Sequence, residues 1–468
     1  MSVHEDQTYE DQTRSAPTLT QSLKGRWIED WEPENPTFWA STGKRIAHRN
    51  LWFSVLAEHI GFSIWTLWSV MVLFMGPAYH IDAAGKFFLV AVPTLVGSFV
   101  RVPYSMGPAR FGGRNFTIFS AGLLLVPTIL AAIVMHPGTS YTTFVIVAAV
   151  GGLGGGNFAS SMVNINAFFP EGRKGWALGL NAGGGNIGVP VVQLVGLLVI
   201  GTAGAMAPRI VLWVYIPLIV VAATCAALYM DNIRHLNNDT GALREAARDA
   251  QTWVMSFLYI GTFGSFIGYS FAFGLVLQNQ FGRTPLQAAA VTFIGPLLGS
   301  LIRPVGGSLA DRFGGAKVSL ATYLGMAASC GIVLVASAHK SLPVYTVGFV
   351  LLFILSGLGN GSTYKMIPSI FQGKAKVAIT EGAVPEVALA TARRLSGAVI
   401  GIAGAVGALG GLFINLAFRQ SFMATKSGDA AFWGFLAFYG LCVAVTYVVY
   451  LRPVPATRAT PRLAYARV

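Results

Sequence analysis

The sequence predicts an all-α, polytopic membrane protein of twelve transmembrane helices in two six-helix pseudo-symmetric bundles. Three observations predict it. Hydrophobic residues make up 54% of the chain and charged residues only 11%, and apolar windows near the 20 residues that a spanning helix needs recur along its length. Two stretches repeat at an offset of 202 residues: Leu95, Gly97, Ser98, Arg101, Arg110, Phe111, Gly112 and Gly113 recur as Leu297, Gly299, Ser300, Arg303, Arg312, Phe313, Gly314 and Gly315. The basic residues are also unevenly placed among the connecting segments. A β-barrel does not fit, because the windows are continuously apolar and lack alternation.

In chain order the windows are 51–75, 86–106, 115–135, 142–168, 175–200, 210–230, 252–277, 286–309, 317–337, 343–369, 395–417 and 431–451. Residues 1–48 precede them as a polar tail without an apolar signal region, so the first helix is expected to serve as the insertion signal. The tail is expected to be disordered until about Trp27, and Trp27 to Trp39 (WIEDWEPENPTFW) is amphipathic enough to lie on the membrane face. The polar break 231–250 falls between helices six and seven, as a cytoplasmic linker joining a bundle of 49–230 to one of 251–452; residues 453–468 form a second tail.

A net charge of +13 would suggest nucleic acid in a soluble chain, but its location gives another meaning. With a cytoplasmic N-terminus, inside segments hold 23 Lys and Arg and outside loops hold six, while Arg101, Arg303 and Lys365 lie within helices. That bias puts both termini in the cytoplasm of a multi-pass protein of the cell membrane. Cys225, Cys330 and Cys442 are isolated in helices and read as small core residues, with neither a disulfide framework nor a metal site.

The chemistry starts from Arg101 and Arg303, each about three-quarters along its helix. Taken singly, either could snorkel to the interface. Each lies seven to nine residues before a basic loop, roughly 10–13 Å deep at 1.5 Å per residue. Burial there costs roughly 2.5–3.5 kcal/mol. Two guanidiniums about 8 Å apart would repel by about 2 kcal/mol at a dielectric of 20, and a planar anion between them removes that cost.

Fifty-five glycines are clustered within helices as well as loops. Gly151, Gly152 and Gly154 to Gly156 run into helix four, Gly179, Gly183 to Gly185 and Gly188 line helix five, and helix eleven carries Gly397, Gly401, Gly404, Gly407, Gly410 and Gly411. Such spacing permits close helix packing; in helices five and eleven it also suits backbone exposed to a compact substrate.

The segment GSLADRFGG (Gly307 to Gly315) matches the short loop between second and third helices in each half of the major facilitator superfamily, so Asp311 and Arg312 are expected to act in gating. The first-half copy, GPARFGG, has Ala109 in place of the carboxylate. More specifically, the chain resembles the nitrate/nitrite porters of that superfamily from about residue 27 to 452. The resemblance is carried by GGGNFASSMVNINAFFP (Gly154 to Pro170), ALGLNAGGGNIGV (Ala177 to Val189), FVRVPYS (Phe99 to Ser105), LYIGTFGSFIGYSFAF (Leu258 to Phe273), GNGSTYKMIPSIF (Gly359 to Phe371) and WEPENPTFWASTGKRIAHRNL (Trp31 to Leu51).

The resemblance implies one buried site between the halves, with Arg101 and Arg303 as the substrate arginines, Phe158 and Phe263 sandwiching a planar anion, and Tyr259 and Asn186 as hydrogen-bonding groups. Without it both phenylalanines would read as core residues. Helix eleven (SGAVIGIAGAVGALGG) has lost both asparagines of LNAGGGNIGV, so no specific backbone contact is expected from it. Glu58, with His59 beside it, and Lys365 are two further charges within helices, which singly fit interfacial positions but together suggest a buried pair that handles protons.

These features imply a secondary transporter of nitrate and nitrite, a monomer in the lipid bilayer, without nucleic-acid partner or cofactor. Glu58 and Lys365 favour proton-coupled uptake, and strict nitrate/nitrite exchange stays open. A transporter of another small anion, such as formate or chlorate, would tolerate the same arginines. A nitrate sensor would need a signalling domain, and no loop is long enough to hold one. No nucleophile–base set, metal cluster or nucleotide-binding motif points to an enzyme or an ATP-driven pump.

Overall fold

A computed structural model describes residues 21–22, 26–234 and 240–452 of the chain. Twelve helices among the described residues are long and apolar enough to cross a membrane. The first half comprises α1 (Pro36–Phe74), α2 (Ala83–Phe111), α3 (Gly113–Val134), α4 (Tyr141–Phe168), α5 (Glu171–Ala203) and α6 (Arg209–Tyr229). The second comprises α7 (Ala250–Phe281), α8 (Pro285–Phe313), α9 (Gly315–Ala338), α10 (Leu342–Thr380), α11 (Pro385–Thr425) and α12 (Asp429–Leu451). All twelve windows fall on these helices. An even number of crossings puts Arg26 and Arg452 at the same end.

Local chemistry sets the helix ends. Asn35 accepts from the N–H groups of Thr37 and Phe38, with Pro36 at the first helical position, so α1 begins well before its apolar window. Thr284 and Gln287 form a capping box at the start of α8. The repeated RFGG turns end α2 and α8 at Gly112 (φ 88°) and Gly314 (φ 91°), backbone angles that favour glycine. Helices α10 and α11 continue past their windows into polar sequence, because hydropathy marks only the stretch facing hydrocarbon.

The segment expected on the membrane face is instead pinned to the first bundle. Strand β2 (Trp27–Ile28) pairs antiparallel with β1 (Gln21–Ser22) and parallel with β3 (Asn232–Ile233), just after α6. Asp231, fully buried, accepts from Arg26 (3.0 Å), Arg49 (2.6 Å) and Asn50 (2.9 Å). Trp31 packs edge-on against Phe38 and Phe168 and donates to the Ala167 carbonyl. Its aromatic face thus finds partners at the α4–α5 junction. Within the expected linker, Thr240–Arg248 is helical, and Glu245 and Asp249 pair with Arg394 and Lys374 of the second bundle. Residues 1–20 and 23–25 of the first tail, on which the expected disorder falls, and 453–468, the second tail, lie outside the described residues.

The most buried helices are α1 and α7, while α6 and α12 turn apolar side chains such as Trp213 and Trp433 outward, as lipid contact requires. Away from the termini the halves close together. Phe87 of α2 stacks on Phe418 and Phe422 of α11, and Gln193 of α5 donates to the Ser270 carbonyl of α7.

Along one face of α11 the packing changes toward the termini. A Cβ placed on Gly407 would lie 2.5 Å from the Tyr259 ring, and on Gly404 it would lie 3.7 Å from Arg101 of the other half. On Gly401 and Gly397 it would meet nothing within 4 Å. Gly179 and Gly183 of α5 meet open space in the same way. A cleft between the bundles therefore opens toward the end carrying the termini.

Candidate functional site

Arg101 and Arg303 lie at the floor of this cleft, 2% and 7% exposed. Arg101 donates from Nε to the Gly155 carbonyl (3.2 Å) and from Nη1 to the Gly404 carbonyl (2.7 Å). The second bond corrects the expectation for helix eleven: lost asparagine side chains leave its carbonyls available where glycine lets the guanidinium approach. Gly155 lies in a 3-10 stretch of α4, Gly152–Gly156, pressed against α1 and α2; a Cβ on Gly154 would sit 2.4 Å from the Gly61 carbonyl.

The Arg101 guanidinium carbon lies 4.7 Å from the Phe158 centroid, 5.1 Å from Phe263 and 5.2 Å from Trp65. These cation–π contacts come from both halves and partly replace lost hydration. Arg303 donates from Nη2 to the Tyr259 hydroxyl (3.4 Å) and lies 5.7 Å from the Tyr364 ring. Nη2 of Arg101 and Nη1 of Arg303 are buried and have no partner among the described residues. Two such donors, from opposite repeats, suit an anionic ligand.

A π-helical turn at Ile260–Gly264 of α7 presents Tyr259 and Phe263 together, their rings stacked at 5.3 Å. Phe158 and Phe263 are stacked at 6.3 Å and 25°. Two van der Waals contacts with a planar ion need about 7 Å, so the rings lie against each other and flank Arg101. Asn186 of α5 is buried one turn beyond Gly183, on the face that opens to the cleft, and its Oδ1 has no partner among the described residues.

Glu58 of α1 is fully buried. Its Oε2 accepts from Ser161 of α4 and from Asn181 of α5 (2.5 Å), and it interacts electrostatically with Arg303 and Arg101. Gly185 makes room for it: a Cβ there would lie 2.3 Å from Glu58 Oε1. Ser161 and Asn181 are polar residues inside signature segments that sequence reasoning passed over; the signal was their presence in helices facing a buried carboxylate.

Lys365 is not Glu58's partner, contrary to expectation. It is half-exposed and pairs with Asp311 at 3.0 Å, bracing the end of α8 against α10. Helical phase explains the difference, since Tyr364 faces the site and its neighbour is turned about 100° away. Arg312, exposed beside Asp311, has its guanidinium over the Phe313 ring.

Paired helical repeats with buried charges in the cleft between them are the build of a membrane transporter. The sequence matches the Major Facilitator Superfamily over residues 51–413. It is 37% identical over 451 residues to the nitrate/nitrite transporter NarU of Escherichia coli (strain K12), covering 91% of this chain and 96% of that protein. It is 32% identical over 466 residues to the probable nitrate/nitrite antiporter NarK2 of Thermus thermophilus, covering 93% and 98%. The crystal structure of a D-xylose-proton symporter shares the fold, with a TM-score of 0.67 at 16% identity over 89% of this chain and 99% of that one. The chain belongs to the major facilitator superfamily and, within it, to the nitrate/nitrite porters. It is a transporter, not an enzyme.

The Glu58–Gly185 contact is testable by a double-mutant cycle. Gly185→Ala is expected to destabilise the purified protein by about 1–3 kcal/mol, the usual cost of overpacking. Combined with Glu58→Ala, the loss should fall at least about 1 kcal/mol short of the sum of the single variants. Strict additivity in thermal melts would show that the two residues do not touch.

Proposed function

We propose that the protein carries nitrate across the cell membrane by alternating access, with Arg101 and Arg303 binding the anion between bundles 49–230 and 251–452. The observation that carries this reading is the pair of buried guanidiniums, one from each repeat, each with an unpartnered Nη. Phe158, Phe263, Tyr259 and Asn186 line the site as orienting groups, and the Phe158–Phe263 pair parts to admit the ion. The names of relatives from two bacteria support nitrate and nitrite as cargo. The basic inside segments favour cytoplasmic termini, which makes this an inward-facing state. One chain supplies both arginines, so a monomer holds a complete site.

Proton coupling is assigned to Glu58 alone, now that Lys365 is placed elsewhere. Two arginines and one carboxylate leave an excess positive charge at the site. A nitrate arriving with a proton for Glu58 leaves that charge unchanged, so neither ion pays alone for charging a low-dielectric space. Asp311 and Lys365 hold the α8 end during rocking of the second bundle. Strict nitrate/nitrite exchange is the second reading, favoured by the antiporter name of the Thermus thermophilus relative.

In proteoliposomes, Arg303→Lys and Arg101→Lys are each expected to lower nitrate transport at least about a hundredfold, since an ammonium lacks the guanidinium fork. Near-normal transport by either would make that arginine structural.

Glu58→Gln fixes a neutral group of similar size. Nitrate accumulation driven by a pH gradient should vanish while exchange against internal nitrite persists. Gradient-driven accumulation that survives the substitution would select strict exchange.

A further inference from the structure

The nitrate-transport reading leaves one polar group of the cleft without a task. Tyr364 of α10 lies 5.8 Å, ring to ring, from Tyr259, and its ring is 5.7 Å from the guanidinium carbon of Arg303. It interacts electrostatically with Tyr259, Arg303, Glu58 and Arg101, groups on four other helices. Its hydroxyl is buried and has no partner among the described residues. Buried hydroxyls are ordinarily hydrogen-bonded, so the missing partner is expected to arrive with the ligand. Tyr104 also has an unpartnered hydroxyl, but its ring packs on Phe116 within the first bundle.

Among the described residues, Nη2 of Arg101, Nη1 of Arg303 and the hydroxyl of Tyr364 are therefore three unpartnered donors grouped at the two guanidiniums. A trigonal oxyanion offers three oxygens, whereas nitrite is bent and offers two. We infer that Tyr364 is a further positioning residue which binds the third oxygen and sets a preference for nitrate over nitrite. The inference rests on the transport reading above, and gives the site a basis for telling apart two ions of equal charge. A donor without its acceptor is left desolvated and unpaired, which is how a hydrogen-bonding site rejects the smaller analogue.

The test is Tyr364→Phe, which keeps the ring and removes only a hydroxyl that has no partner among the described residues. Sodium nitrate and sodium nitrite are titrated into the same preparation of purified full-length protein, wild type and variant, by calorimetry. Nitrate affinity is expected to fall about tenfold, the worth of one hydrogen bond to a charged group, and nitrite affinity to change less than about twofold. Both anions meet the same folded fraction, so partial unfolding leaves the affinity ratio intact. An unchanged nitrate affinity, or equal weakening for both anions, overturns the assignment. Wild-type protein that binds neither anion removes the transport reading itself, whereas wild-type binding with an unaltered ratio in Tyr364→Phe removes only this inference.

Discussion

Two guanidiniums held out of water without full pairing are the constraint around which this protein is built. Arginine stays charged when buried, so the fold has to supply what hydration would have supplied. For Arg101 it supplies two glycine carbonyls from opposite bundles and three aromatic faces. For Arg303 it supplies a tyrosine hydroxyl and a second ring. Each guanidinium still keeps one buried nitrogen without a partner among the described residues. The 3-10 glycine stretch of α4 carries the Gly155 carbonyl that meets Arg101, and the π turn of α7 lies at the stacked rings of Tyr259 and Phe263.

The same contacts tie the two halves together only part of the way. Arg101 reaches Gly404 across the interface, and from there away from the termini the helices are in close contact. Toward the termini the glycines of α5 and α11 face open space. At that end each bundle is instead fastened to itself, the first by Asp231 with Arg26 and Arg49, the second by Lys365 with Asp311 and by the docked linker helix. Bundles braced internally and joined at one end are suited to rocking as bodies. Glu58 sits on the first of them, hydrogen-bonded within it and electrostatically in reach of arginines on both.

Much of this was legible in the sequence because a bilayer imposes length and polarity on every crossing. All twelve windows fall on helices, and the repeat at 202 residues places Arg101 and Arg303 in corresponding helices of the two halves. What sequence missed has physical causes. Hydropathy sees only the apolar part of a helix, so the start of α1 at Pro36 and the extension of α10 to Thr380 were hidden. Charge alone paired Lys365 with Glu58, whereas helical phase sends Lys365 to Asp311. Glycine spacing marked helix eleven as exposed backbone, but nothing in the residue types singled out the Gly404 carbonyl as the acceptor for Arg101. The aromatic strap of Trp27 to Trp39 is amphipathic whether it meets lipid or protein, and only the partners at Phe168 and Asn232 decide between them.

In the proposed transport cycle the two unpartnered guanidinium nitrogens converge on one anion between the bundles. A cryo-electron microscopy or crystal structure of the full chain determined with nitrate tests it most directly. Density is expected for a planar ion within hydrogen-bond distance of both Arg101 and Arg303, with the Phe158–Phe263 rings parted beyond their 6.3 Å separation. An ion bound elsewhere in the cleft, or an arginine turned onto Glu58 with the ring pair still closed, would contradict it.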